Sequence, residues 1–117
     1  MIPAMYTALS GMSGFTKKIE VIANNIANVN TDGFKGSRTE FVEVPTGGIL
    51  PVVEQDNANG PAVLKDSASG PAQVELSNVD LGEEAVSLIL AQRGFQANLQ
   101  TLKTADSMLG SVLDVTK

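Results

Sequence analysis

The chain has no cysteine, no histidine and no tryptophan. Without cysteine there is no disulfide framework, no thiol nucleophile and no thiolate metal site. Without histidine, the catalytic triads and dyads and most zinc arrangements are excluded as well, leaving carboxylates, lysines, hydroxyls and Tyr6 as the only groups able to do chemistry. The sequence therefore reads as a non-enzyme with no metal and no cofactor. Aromatic residues are scarce, four Phe and one Tyr. A core must be assembled from Leu, Ile, Val, Ala and Met, which suits helix packing. Positive charge is also short: 8 Lys and Arg against 13 Asp and Glu give a net charge of -5. That balance argues against nucleic acid or an anionic membrane as a partner, since phosphate binding needs a basic face. No run approaches the roughly 18 apolar residues of a membrane span, so direct membrane insertion is not expected. The N-terminal Met1-Ile2-Pro3-Ala4-Met5-Tyr6 lacks the basic start and apolar stretch of a secretory signal, so export would need another route. At 117 residues the chain is expected to be one folding unit.

What is present is long-range apolar periodicity at both ends. Met5, Leu9, Met12, Thr16, Ile19, Ala23 and Ile26 follow one another at alternating steps of four and three, a heptad seam. Ala8, Phe15, Ile22 and Val29 widen the stripe, enough for contacts on more than one side. Asn30-Thr31-Asp32-Gly33 concentrates residues that end helices, so the helix should stop near Asn28 to Asn30. Residues 4–29 would make a rod of roughly 39 Å. Gly11 and Gly14 inside this helix point to a close crossing by another helix.

The middle has a different grammar. Short apolar runs at residues 40–44, 49–54, 62–64 and 73–76 are bounded by Gly, Pro, Asn or Asp and read as short, poorly packed strands. Pro45, Pro51, Pro61 and Pro71 forbid a long helix here and confine strands to edges or hairpin arms. Gly60-Pro61-Ala62 and Gly70-Pro71-Ala72 read as two similar turns. Asp56-Asn57-Ala58-Asn59-Gly60 has part of the spacing of a calcium loop but no closing Glu and no flanking helices, so it reads as a turn.

A second helix opens with Asp80 as its N-cap and with Glu83 and Glu84 at its positive end. Its seam runs Leu81, Ala85, Leu88, Gln92, Phe95, Leu99, Leu102, Asp106, Leu109 and Leu113. Gln92 and Asp106 interrupt it, and such polar residues fix register and partner choice. The expected fold is mainly α: two long terminal helices pairing as an antiparallel coiled-coil hairpin, with a small irregular β segment between them at the far end. The corresponding segments are 1–33, 34–76 and 77–117.

Two blocks carry a resemblance. Ala23-Asn24-Asn25-Ile26-Ala27-Asn28-Val29-Asn30-Thr31-Asp32-Gly33-Phe34-Lys35 is similar to the N-terminal motif of the bacterial flagellar rod and hook family. Ser77-Asn78-Val79-Asp80-Leu81, Gln92-Arg93-Gly94-Phe95-Gln96-Ala97-Asn98 and Thr104-Ala105-Asp106-Ser107-Met108-Leu109 resemble its C-terminal block, with Gly94 where the family usually has Ala or Ser. The likeness covers about residues 4–41 and 76–115. It implies a structural subunit of the flagellar basal body, most like a small proximal rod protein because the middle is short. Its terminal helices would self-assemble into an axial filament. It also implies export through the flagellar type III apparatus without a cleaved signal peptide, residence in the periplasm-spanning rod, and partnership with itself and with other rod and hook subunits. The alternative is a soluble coiled-coil interaction module, or a divergent rod paralogue, that binds one defined partner without polymerising.

The residues expected at the subunit interface are Met5, Leu9, Met12, Ile19, Ala23 and Ile26 of the first seam, with Asn24 and Asn25 as polar pins between subunits. From the second helix they are Leu88, Gln92, Phe95, Leu99, Leu102 and Leu109, with Arg93 and Gln96 as bridges. Asn28 and Asn30 are assigned to helix capping.

Overall fold

The computed structural model describes residues 2–115, so Met1, Thr116 and Lys117, at the outer ends of the first and third segments, lie outside the described residues. The element order is α1 (Ile2–Ala27), β1 (Ser37–Glu43), β2 (Ile49–Gln55), β3 (Ala62–Ser67), β4 (Gly70–Glu75) and α2 (Leu81–Val115). Two helices with a small β segment between them are what the periodicity predicts.

The helix ends follow from their residues. At the end of α1, the Asn28 side-chain amide donates to the Asn24 carbonyl at 2.9 Å, and the chain turns through Gly33 at φ +71°. Asn28 thus takes the capping role expected of it. At the start of α2, Asp80 Oδ1 accepts from the backbone N–H of Gly82 at 2.8 Å and of Glu83 at 3.1 Å, satisfying two of the donors a helix N-terminus leaves open.

The helices lie side by side. Gly11 sits against Asn98, Phe15 against Gly94, and Asn25 bonds to Glu84, so contacts descend α2 as they climb α1. A Cβ on Gly11 would stand 2.6 Å from Asn98 Oδ1, which is the close helix crossing expected there. Gly14 differs from the expectation: it admits Phe41 and Ile49 of the strands, not a second helix.

The strands form two separate antiparallel hairpins, β1 with β2 and β3 with β4. Pro51 stands opposite Phe41 and Pro71 opposite Asp66, each in a two-stranded sheet with a free outer edge. The β1–β2 turn uses Gly47 and Gly48 at φ +97° and +91°. Only the second Gly-Pro-Ala copy lies at a hairpin turn, with Gly70 at φ +110°. The first enters β3, where Leu76 N–H donates to the Pro61 carbonyl at 2.7 Å and Gly60 lies so close to the Leu76 carbonyl that no side chain fits.

The β segment is not confined to the far end. The β1–β2 hairpin folds back along α1, with Ile49 N–H donating to Ser10 Oγ at 3.2 Å, because Gly14 leaves a notch that Phe41 and Ile49 fill. Phe41 meets Phe15 edge-on at 5.1 Å between centroids. The β3–β4 hairpin packs against no helix and no other strand among the described residues.

The result is an elongated molecule, 81 × 24 × 18 Å, with a radius of gyration of 20.8 Å where roughly 13 Å is typical of this length. Its accessible surface is 7985 Å², against about 6,000 Å² for a compact monomer of this mass. Among the described residues, the buried apolar side chains are Ala8, Ile22, Ala91 and Ala105, and the one fully buried large side chain is Asn25. This is a thin core for so apolar a sequence.

Candidate subunit interface

On α1 the contact stripe is rotated by one residue from the seam that the heptads suggest; on α2 it keeps Leu88, Phe95, Leu102 and Leu109 of that seam and replaces Ala85, Gln92, Leu99 and Asp106 by the residues just before them. On α1 the inward positions are Ala8, Gly11, Phe15, Lys18, Ile22 and Asn25; on α2 they are Glu84, Leu88, Ala91, Phe95, Asn98, Leu102, Ala105 and Leu109. Both sets keep heptad spacing. Small residues at Ala8, Gly11, Ala91, Gly94 and Ala105 let the backbones approach, and Phe15, Ile22, Leu88, Phe95, Leu102 and Leu109 fill the space beside them.

Of the expected α1 residues, Met5, Met12, Ile19 and Ile26 lie half-buried at the margin of the contact, whereas Leu9, Ala23 and Asn24 are exposed. Of those on α2, Leu88, Phe95, Leu99, Leu102 and Leu109 are half-buried, and Gln92, Arg93 and Gln96 face outward. Gln92 and Asp106 therefore do not interrupt the packing between α1 and α2; both are exposed. Asn25 does not reach a surface at all. It is 1% exposed, its Nδ2 donates to the Ser37 carbonyl at 2.7 Å and to Glu84 Oε1 at 3.1 Å, and its Oδ1 accepts from Ser37 N–H at 3.0 Å. It pins α1, β1 and α2 together inside the chain, so its polar groups have intramolecular partners in place of the intersubunit ones expected from the sequence.

The uncovered surface is large and apolar. Tyr6 is 70% exposed, Leu9 54%, Val86 58%, Ile89 56% and Leu90 64%. The β1–β2 hairpin adds the cross-strand pair Val42 and Leu50 on its outer face. Near the α1 start, an apolar groove of about 410 Å³ runs between Ala4 and the α2 residues Gln100 to Met108.

A polar hub joins the pieces. Asn78 Oδ1 accepts from Gly36 N–H at 2.8 Å, while its Nδ2 donates to the carbonyls of Asp56 and Ala58. Glu75 Oε1 accepts from Lys35 Nζ and from Gly60 N–H, and Lys65 pairs with Asp32 at 2.7 Å. The Lys35 ammonium, and then the Gly60 N–H, hold the Glu75 carboxyl below its ordinary range. Sequence reasoning placed Asn78 only inside a motif and read Glu84 as helix-end electrostatics. The signal available for Asn78 was that it lies in a family block yet off any apolar stripe; Glu84 lies between the quoted blocks and carried no such signal.

Among the described residues, no group of three or more His, Cys, Asp or Glu could hold a metal. Among the described residues, no helix is long and apolar enough to cross a membrane.

Two family models match. Residues 72–115 match "Flagellar basal body rod FlgEFG protein C-terminal", and residues 5–35 match "Flagella basal body rod protein". The chain is similar to the flagellar basal-body rod protein FlgG of Bacillus subtilis, 52% identical over 38% of this chain and 17% of the relative. It is also similar to FlgG of Caulobacter vibrioides, 43% identical over 51% of this chain and 23% of the relative. The flagellar hook protein FlgE of Treponema pallidum is 43% identical over 69% of this chain and 16% of the relative. The chain thus spans less than a quarter of the length of the curated relatives it matches. With both helical ends matched by rod models and an uncovered apolar stripe on each, the chain belongs to the flagellar basal-body rod and hook family.

Proposed function

We propose that this chain is a structural subunit of the flagellar rod, self-assembling through its terminal helices into an axial filament in which neighbouring copies cover the outward apolar stripes. It is not an enzyme; the relatives it matches are flagellar rod and hook proteins. The helices act as an antiparallel coiled coil within each copy, and Met5, Leu9, Met12, Ile19, Ala23, Asn24, Ile26, Gln92, Arg93 and Gln96 face or border the neighbours. Its partners are further copies and other rod and hook subunits, it passes through the flagellar export apparatus, and it resides in the periplasm-spanning rod. The short middle, residues 36–71 between the two family matches, supports a place like that of the small proximal rod proteins.

The observation that carries this reading is the exposure of Tyr6, Leu9, Ile89 and Leu90 on helices whose own shared core holds little more than alanines and Ile22. Apolar surface of this extent gains by leaving water, and a contiguous patch on a monomer marks an association site. Sedimentation of the full chain over a wide concentration range tests it. Association that grows without a fixed end point is expected, and a single small oligomer or a lone monomer at every concentration would overturn it.

A further inference from the structure

We propose that Asn59 is a site of spontaneous covalent modification, attacked by the backbone nitrogen of Gly60, and that the Glu75 carboxylate holds this reaction in check. The sequence places glycine directly after Asn or Asp twice, at Asp32-Gly33 and at Asn59-Gly60. With no Cβ beside it, a glycine nitrogen is open to the preceding side chain, so such pairs are the ones most prone to close a five-membered succinimide ring. Asn59 is exposed, and its side chain makes no hydrogen bond among the described residues.

The step needs only water. The Gly60 nitrogen gives its proton to a base in the solvent and bonds to Asn59 Cγ, while the Cγ–Nδ2 bond breaks and Nδ2 leaves as ammonia with a proton from water. Water then opens the ring. Attack at Cγ leaves an aspartate at position 59, and attack at the main-chain carbonyl leaves an isoaspartate, whose backbone runs through Cβ and Cγ. Asp32 does not compete. Its carboxylate is paired with Lys65 at 2.7 Å, an ionised carboxylate has no ammonia to expel, and the Gly33 N–H donates to the Glu75 carbonyl at 2.8 Å.

The restraint lies in the bonds around the nucleophile. The Gly60 N–H donates to Glu75 Oε1 at 2.8 Å, so the nitrogen must break this bond and lose its proton before it can attack. A carboxylate is far too weak a base to take an amide proton, so the bond restrains the nitrogen and does not activate it. The flanking peptide groups are tied as well: the Ala58 carbonyl accepts from Lys35 Nζ at 2.8 Å, and the Pro61 carbonyl accepts from Leu76 N–H at 2.7 Å. The Leu76 carbonyl fills the space beside Gly60, which blocks the swing that ring closure needs. An isoaspartate lengthens the main chain by one carbon at this crowded point, and either product adds a negative charge next to the Gly60–Glu75 bond. The β3–β4 hairpin has no packing against another element to absorb the change. Modification therefore loosens the root of this hairpin and spares the helices.

The test is the rate at which the full chain gains the mass of amide-to-acid conversion at Asn59 in mildly alkaline buffer, read by peptide mass spectrometry. A synthetic peptide of residues 56–62 supplies the unrestrained rate. The wild type should react at least tenfold more slowly than the peptide, and Glu75→Ala should bring the chain to within about threefold of it. Lys35→Met removes the same ion pair but leaves Glu75 to accept from Gly60, so it should accelerate the reaction no more than about threefold. A wild type as fast as the peptide, Glu75→Ala no faster than the wild type, or Lys35→Met as fast as Glu75→Ala would overturn the restraint by Glu75. Conversion absent from both the wild type and Glu75→Ala would overturn Asn59 as the site. In the converted chain, hydrogen exchange at the Leu76 amide should be faster with helix content unchanged by circular dichroism; unchanged exchange there would overturn the loosening of the hairpin.

Discussion

The ring of Phe15 occupies the space a side chain at position 94 would need: a Cβ on Gly94 would overlap its ring atoms. The same ring is held from the other side by Phe41, edge-on at 84°. Gly94 is thus the socket in which α1 meets α2 and the β1–β2 hairpin.

Gly94→Ala is therefore expected to destabilise the chain. Helix propensity alone would favour Ala by about 0.8–1 kcal/mol, while forcing a methyl into a filled site costs about 1–3 kcal/mol. A net loss of about 1 kcal/mol is expected by urea unfolding. Pairing it with Phe15→Leu, which vacates the socket, should make the double variant more stable than the sum of the single effects predicts.

Asn25→Leu should cost more. It leaves the Ser37 N–H and C=O without the bonds Asn25 now makes at 3.0 and 2.7 Å, and removes the donor to Glu84. Unpaired, largely buried backbone groups cost about 1–3 kcal/mol each, so for the two a loss of about 2–6 kcal/mol is expected. Hydrogen exchange at Ser37 should accelerate with it. An unchanged unfolding midpoint would show that the three-element pin is not what holds the junction.

Acid should loosen the β3–β4 hairpin before the helices. The folded state lowers the Glu75 value, so it binds that proton less tightly than the unfolded chain does. Its contribution is full above the ordinary Glu value of about 4.3 and is lost as the pH falls below this through the lowered folded value. The bonds at stake are those from Lys35 and Gly60, and β3–β4 has no packing against another element to replace them. Faster exchange of the Gly60 amide in this acid range is expected, and Glu75→Gln should show fast exchange at neutral pH already.

Both helices, their caps and the four strands could be read from apolar spacing, Asp80, the Asn28 to Gly33 stop and the Gly and Pro punctuation. The face that turns inward could not. Apolar residues in α1 recur in neighbouring heptad stripes, and periodicity alone does not rank Met5, Leu9 and Met12 against Ala8, Phe15 and Ile22. The ranking comes from close approach, which favours Ala8, Gly11, Ala91 and Gly94, and from Gly14, whose notch draws β1–β2 onto α1. The glycines carried that information, although nothing local told which neighbour each would admit. Asn25 likewise reads as a surface amide until Ser37 and Glu84, 12 and 59 residues away, are brought beside it.

The rotation of the seam makes the strongest demand on the assembly reading. Leu9 on α1 and Leu90 on α2, 54% and 64% exposed, point away from the shared core. Replacing either by Lys removes little intrachain packing, and surface changes of this kind usually alter stability by less than about 0.5 kcal/mol. If neighbouring copies cover these positions, burying the new ammonium without a partner should weaken association by tenfold or more, seen as a shift of the sedimentation profile to higher concentration. Ala91→Lys should behave in the opposite way, unfolding the chain, because Ala91 is fully buried between the helices. Were Leu9→Lys and Leu90→Lys to associate like the wild type, the outward stripes would be plain solvent-facing surface, and some other face would have to join the subunits.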